Sequence, residues 1–254
     1  LRLITANPIP KGFMPKVKRE KAVTYLYPDE DAKLMACEAV PLALRVFFGF
    51  LAREGLRAGE AAGLTLADVD LKRGAIRLDE NKTDDPRAWA LDPGVVGALR
   101  RWVELHRADA GEEDPLFTDE HGRSLNGEQL AARFRACLEK AGVSRPELFE
   151  SSKARRPIRV HDLRASFVTV SLAEGRSETW IADRTGHRSS VMINRYKRAA
   201  RTVADLGLGP FRPLDQAIPE LGAREPDFPA YSPETLKTAE KLATPRRFEL
   251  LLPA

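Results

Sequence analysis

Cysteine is scarce in this 254-residue sequence, which contains Cys37 and Cys137 and no others. Two cysteines cannot form the disulfide framework of a small secreted domain, and their scarcity is typical of a reducing compartment. Long apolar runs are missing as well, since no stretch approaches the roughly 18 residues that a membrane span requires. We therefore expect a cytoplasmic protein with no membrane partner.

The common sequence motifs for cofactors and metals are also missing. The sequence has neither a GxGxxG pattern nor a Walker-type GxxxxGK[ST] pattern, so nothing in it indicates a nucleotide cofactor. His106 and His121 have no Cys or His partner at the spacing of metal ligands. We expect no cofactor and no metal.

Positive charge is small in total but concentrated in one segment. The chain carries 41 Lys and Arg against 37 Asp and Glu, a formal net charge of +4. The segment from Ser151 to Arg201 has twelve basic and four acidic side chains, which gives it a net charge of +8 and leaves −4 for the remainder. Such a segment indicates an anionic partner, and it is the first part of the chain to search for a site.

Periodicity predicts a mainly α protein with one small antiparallel β-sheet. The alternating segments GAIRLD (74–79) and RAWAL (87–91) flank the polar loop NKTDDP and predict a β-hairpin. Apolar residues recur at helical spacing elsewhere between residues 28 and 204. The predicted helices comprise two before Gly55, a short one from Arg57 to Gly63, and five over 94–106, 127–141, 161–174, 177–184 and 189–204.

Several short motifs contain the residue types that phosphate chemistry needs. HDLR places His161 and Arg164 three residues apart, on one face of a helix. GLRAGE places Arg57 directly after a predicted helix end at Gly55, with Glu60 three residues further on. Each string alone is weak, because a lone arginine or histidine is more often a surface or core residue.

The remaining motifs are a Gly-His pair, a tyrosine and a lysine. His187 follows Gly186, and Tyr196 lies nine residues beyond that histidine in a polar, basic stretch. Lys82 lies in the predicted hairpin loop. Lys72 and Lys153, elsewhere in the sequence, are alternative candidates for a lysine of the site. Taken together and in this order, the motifs form a strong pattern.

The set resembles the catalytic domain of the tyrosine recombinases, the phage-integrase family, over roughly residues 22 to 201. The resemblance implies that the fold is that of this catalytic domain and that the protein is a site-specific DNA recombinase or integrase from a phage or mobile element. It also implies six catalytic positions, with Glu60 in support: Arg57, Lys82, His161, Arg164, His187 and Tyr196.

The family chemistry is consistent with the properties of these side chains. A tyrosine phenol, with an ordinary pKa near 10, is a poor nucleophile until a cationic pocket and a base activate it. Two guanidiniums can hold phosphate oxygens with forked donors and remain charged. The resemblance implies that Lys82 protonates the leaving 5′-oxygen, that His161 acts as acid or base, and that His187 hydrogen-bonds the phosphate. It implies a 3′-phosphotyrosyl intermediate formed without metal or ATP.

Partners and alternatives follow from the same resemblance. We expect double-stranded DNA as partner, a homotetramer on DNA, and accessory DNA-bending proteins. Arg155, Arg156 and Arg159 are candidate DNA-phosphate contacts, although an ordinary solvated loop explains them equally well. A type IB topoisomerase-like relaxing enzyme and a DNA-binding remnant that no longer cleaves are the alternative functions.

The two ends of the chain are predicted to lie outside the catalytic domain. We expect a linker over residues 1–21, without the N-terminal core-binding domain of integrases, a catalytic domain over 22–201, and an extension over 202–254. The extension contains eight of the 18 prolines, a density that long helices do not tolerate, although a helix from Pro233 to Ala243 is expected within it.

Overall fold

The computed structural model describes Phe13 and residues 21–79, 86–119, 121–123, 125 and 130–222. Ten α-helices lie within these residues, three of them with five residues or fewer: α1 (Pro28–Ala36), α2 (Leu42–Glu54), α3 (Ala58–Ala62), α4 (Pro93–His106), α5 (Leu130–Lys140), α6 (Pro146–Phe149), α7 (Asp162–Ala173), α8 (Glu178–Thr185), α9 (Ser190–Asp205) and α10 (Leu214–Ala217). The predicted mainly α architecture is confirmed.

One antiparallel sheet accompanies the helices, with strand order β1 (Val69–Asp70), β2 (Ala75–Leu78) and β3 (Arg87–Ala90). In its register Ile76 lies opposite Trp89, and Leu78 lies opposite Arg87. The predicted hairpin strands are therefore confirmed, whereas β1 was not predicted because two residues are too few to show a period. Lys82, in the connecting loop, lies outside the described residues.

Helix α7 lies at the centre of the domain, in contact with α2, α8 and α9. Residues 162–171 are all buried, so this helix is covered on every side rather than on one amphipathic face. The predicted helix over 161–174 is confirmed to within one residue at each end, where His161 occupies the N-cap position and Glu174 the C-cap position.

Helix α2 is buried along nearly its whole length, and its charged side chains are paired. Arg53 donates to Asp31 at 2.8 Å, and Arg45 is ion-paired with Glu220. Glu54 accepts hydrogen bonds from the Trp89 indole and from a backbone amide, both at 2.8 Å, and burial raises its pKa to about 7. These contacts fix the helix whose C-terminal end leads to Arg57.

The short helix α10 belongs to the main apolar core. Its buried residue Leu214 packs against the C-terminal half of α2. The two helices can approach this closely because Gly49 has no side chain. The predicted helix from Pro233 to Ala243 lies outside the described residues. No helix among the described residues is long and apolar enough to cross a membrane.

Gly55 ends α2 in the left-handed conformation, with φ of 70°. A Cβ there would lie 2.3 Å from Cδ1 of the buried Phe167 ring. The turn before Arg57 therefore needs glycine for two reasons, its backbone conformation and the close approach of α7.

We expect Gly55→Ala to destabilise the fold more than Gly142→Ala, a matched control with φ of 71° and no atom within 4 Å of its Cβ position. The control loses about 1 kcal/mol from left-handed backbone strain alone. Gly55→Ala loses about 1–3 kcal/mol more, because Phe167 must move. Urea denaturation measures both, and equal losses would contradict the steric argument.

Candidate active site

The turn between α2 and α3 presents Arg57 at the N-cap of α3. Glu60, three residues on, accepts the Arg57 backbone N–H at 3.0 Å and is also ion-paired with the Arg57 guanidinium. A carboxylate at this position is the usual capping-box partner of a helix start. The GLRAGE motif is therefore a compact structural unit in which Glu60 orients the arginine.

Arg164 is buried at the start of α7, where it joins two loops. One guanidinium nitrogen, Nη1, donates to the Gly55 carbonyl at 2.8 Å, and the other, Nη2, donates to the Thr185 carbonyl. Each carbonyl lies two residues before a candidate site residue, Arg57 in one case and His187 in the other. A single side chain thus ties both loops to α7.

His187 follows the left-handed Gly186 that ends α8. The Thr185 hydroxyl donates to the Ile181 carbonyl at 2.6 Å, and its oxygen lies 2.8 Å from Nδ1 of His187. A hydroxyl has one proton to donate, so here its oxygen accepts the Nδ1–H of the ring. Nε2 of a neutral His187 is then the nitrogen without a proton.

Tyr196 is half-buried on α9, and its ring centroid lies 6.2 Å from that of His187. It packs beside a small apolar cluster that includes Phe167 and Ile193. The neighbouring Lys197 pairs with Glu178 of α8 at 2.6 Å. The tyrosine therefore lies next to the histidine loop, with its aromatic face against the core.

The electrostatics of the group are dominated by positive charge. Burial, followed by repulsion from Arg57, lowers the pKa of Arg164 to about 10, while Glu60 opposes the effect. Burial and the Arg164 and Arg57 charges lower the pKa of His187 to about 4. Partial desolvation, followed by repulsion from Arg164, lowers the pKa of His161, which is itself an exposed residue. Because these residues repel further positive charge, their surroundings favour the binding of an anion.

Five of the six predicted catalytic residues lie on elements that meet at Arg164, namely Arg57, His161, Arg164, His187 and Tyr196. The sixth, Lys82, lies outside the described residues. Within the described part of the chain, no group of three His, Cys, Asp or Glu side chains is arranged to hold a metal ion.

The three arginines predicted to contact DNA differ in their surroundings. Arg159 pairs with Asp162 at 3.1 Å, and the same carboxylate accepts the Arg159 backbone N–H at 2.9 Å in the turn that leads into α7. Arg156 is exposed. Arg155 lines a groove of about 560 Å³ together with Arg195 and Arg198 of α9.

Sequence reasoning missed two buried residues of the site. Thr185 sets the proton arrangement of His187, and Arg87 contacts Glu60 from the sheet, with 3.1 Å between Nη2 and Oε2. The only sequence signal for either residue was its position, Thr185 just before the Gly-His pair and Arg87 just after the hairpin loop. Neither position by itself distinguishes a site residue from a surface residue.

Comparison with known proteins gives a consistent family. Residues 24–202 match the phage integrase family. The chain is 26% identical to a putative integrase/recombinase, y4eF of Sinorhizobium fredii, over 86% of this chain and 82% of the relative. It is 28% identical to the tyrosine recombinase XerC of Pelotomaculum thermopropionicum, over 73% of this chain and 60% of the relative.

Solved structures show the same fold. The XerA recombinase superposes with a TM-score of 0.59 at 23% identity, covering 78% of this chain and 69% of that one. A lambda integrase dimer bound to a core site superposes with a TM-score of 0.53 at 20% identity, covering 70% of this chain and 61% of that one. Since the family match spans well over half of the sequence, this chain belongs to the phage integrase family and has the catalytic-domain fold of the tyrosine recombinases.

Proposed function

We propose that this domain cleaves and rejoins double-stranded DNA as a site-specific recombinase, with Tyr196 as nucleophile. The observation that supports this most strongly is the position of Arg164, whose hydrogen bonds hold the loops of Arg57 and His187 beside the tyrosine helix. The relatives named as integrases and recombinases support the same activity.

In the proposed reaction, Arg57 and Arg164 bind the non-bridging oxygens of one phosphodiester with their forked donors. The Tyr196 oxygen attacks phosphorus while the bond to the 5′-oxygen breaks, which leaves a 3′-phosphotyrosyl bond. His161 accepts the phenol proton, and Lys82 donates a proton to the departing 5′-oxygen. A 5′-hydroxyl then attacks the phosphotyrosine in the reverse step, which forms a phosphodiester and releases Tyr196. The energy of the original phosphodiester bond is conserved in the phosphotyrosyl bond, so neither metal nor ATP is needed.

His187 changes its protonation when phosphate binds in this scheme. In the free protein its pKa of about 4 keeps the ring neutral near pH 7, with Nε2 unprotonated. A phosphate close to the ring favours the charged form, because opposite charges raise the pKa of a histidine. The ring then takes up a proton and donates from Nε2 to a phosphate oxygen.

The assembly and domain limits are part of the same proposal. A lambda integrase relative has been solved as a dimer bound to a core site, which supports double-stranded DNA as the partner and a homo-oligomer on it. We propose a tetramer that joins two sites, helped by accessory DNA-bending proteins, with Arg155, Arg156 and Arg159 contacting backbone phosphates. We propose residues 22–201 as the catalytic domain, 1–21 as a linker and 202–254 as an extension.

Tyr196→Phe should abolish covalent capture of a nicked suicide duplex and leave DNA binding unchanged, because only the attacking oxygen is removed. Capture is read as a protein–DNA adduct on a denaturing gel, and binding as a gel shift. Tyr231→Phe is the matched control, because it removes a tyrosine hydroxyl outside residues 24–202, the part of the chain that matches the family. An adduct formed by the Tyr196→Phe variant would refute the assignment.

The pKa of His187 predicts a pH-dependent stability. Because the folded-state pKa of about 4 lies below the ordinary value of about 6.5, the unfolded chain takes up this proton first as pH falls. Stability from this group is therefore complete above about pH 6.5 and is lost between about pH 6.5 and 4.

Between pH 7 and pH 5 the wild-type free energy of unfolding should fall by roughly 2 kcal/mol more than that of His187→Gln. Urea denaturation at the two pH values measures this difference. His121→Gln, at an exposed histidine, is the control and should follow the wild type. Parallel losses in the wild type and the His187 variant would contradict the lowered pKa.

A further inference from the structure

Arg87 is a buried arginine of the sheet, and it is not one of the six predicted catalytic residues. It is the first residue of β3, where its backbone lies opposite Leu78 of β2, and its side chain is 6% exposed. Burying a guanidinium costs several kcal/mol unless its partners compensate. The contacts of this side chain therefore need an explanation.

The Arg87 guanidinium reaches two different loops of the active site. Nη2 lies 3.1 Å from Oε2 of Glu60, and Nη1 donates to the Arg184 carbonyl at 3.1 Å. The space it occupies at the end of α8 exists because Gly186 has no side chain, since a Cβ there would lie 2.4 Å from Nη1. The side chain is thus enclosed between the Arg57–Glu60 turn and the turn that precedes His187.

These contacts parallel those of Arg164. Arg164 bonds Gly55 and Thr185 from α7, whereas Arg87 contacts Glu60 and Arg184 from the sheet. The two arginines therefore hold the same pair of loops from different sides. In the sequence, Arg87 also follows directly on the predicted hairpin loop that contains Lys82.

The hydrogen bonding of Arg87 is incomplete for a purely structural residue. Its buried Nε and Nη2 have no hydrogen-bond partner among the described residues, although Nη2 is ion-paired with Glu60. Such groups cost stability, and an apolar side chain of similar volume is often at least as stabilising. Stability alone does not account for an arginine here.

We propose that Arg87 is a positioning residue of the cleavage reaction, which aligns Arg57 through the shared Glu60 carboxylate and His187 through the end of α8. Glu60 is the common element, because its two oxygens contact both arginines. Burial raises the pKa of this carboxyl, but hydrogen bonds from Arg57 and the charges of Arg87 and Arg57 outweigh it and lower the pKa, which keeps the group ionised. The inference rests on the proposed function, since the positioned groups act on the scissile phosphate.

The test compares Arg87→Gln and Arg87→Lys with Arg77→Gln, an exposed arginine on the adjacent strand β2. Single-turnover cleavage of a nicked suicide duplex is measured at saturating protein, per molecule that binds DNA, together with DNA affinity and melting temperature. We expect Arg87→Gln to cleave up to about 100-fold more slowly with little change in affinity. Arg87→Lys, which keeps the charge but lacks the fork, should recover part of the rate, and Arg77→Gln should match the wild type.

A double variant with Glu60→Gln tests the route of the effect. If part of the effect of Arg87 passes through Glu60, the rate loss of the double variant is smaller than the product of the two single losses, whereas fully multiplied losses would contradict that route. If Arg87→Gln cleaves at the wild-type rate per molecule that binds DNA, the inference is overturned. If Arg87→Gln does not fold, a wild-type cleavage rate for Arg87→Lys overturns it instead. Absence of cleavage by the wild type would instead refute the proposed function.

Discussion

The hydrogen bonds of Arg164 to two backbone carbonyls are the constraint on which the site depends. They fix the positions of Arg57 and His187 from the same buried helix, because each carbonyl lies two residues before one of these side chains. Backbone carbonyls are acceptors that no side-chain rotation can remove. The surrounding fold supports this arrangement, since α7 is covered on all sides and packs against both α2 and α9.

The same arrangement leaves the site with an excess of positive charge. Arg57, Arg87 and Arg164 share one nearby carboxylate, that of Glu60, and the lowered pKa values of His161 and His187 reflect this excess. The free protein keeps His187 neutral near pH 7 and accepts a destabilised guanidinium at Arg164. In the proposed reaction, a bound phosphodiester would supply the missing negative charge, so that repulsion that is unfavourable in the free protein would contribute to binding and to stabilising the transition state.

Much of the fold and the principal residues of the site could be predicted from the sequence, because both depend on local patterns. Gly55 and Gly186 mark the helix ends before Arg57 and His187, and their positive φ values agree with that role. The resemblance of the motifs, in this order, to those of the tyrosine recombinases predicted which residues belong to one site, and five of the six lie on elements that meet. What sequence could not show is which side chains are enclosed by segments far apart in the chain. Arg87 is a site residue only because Glu60 and Gly186 lie against it, and nothing in its own neighbourhood reveals that.

The identity of the nucleophile is tested most directly by mapping the covalent adduct on the wild-type chain. The sequence has four tyrosines, Tyr25, Tyr27, Tyr196 and Tyr231. Proteolysis after acidic residues releases a peptide from Arg184 to Asp205 in which Tyr196 is the only tyrosine. After trapping on a nicked duplex and nuclease digestion, mass spectrometry should find the nucleotide remnant on that peptide, attached to Tyr196. A remnant on any other tyrosine, or on a residue of another type, would contradict the account.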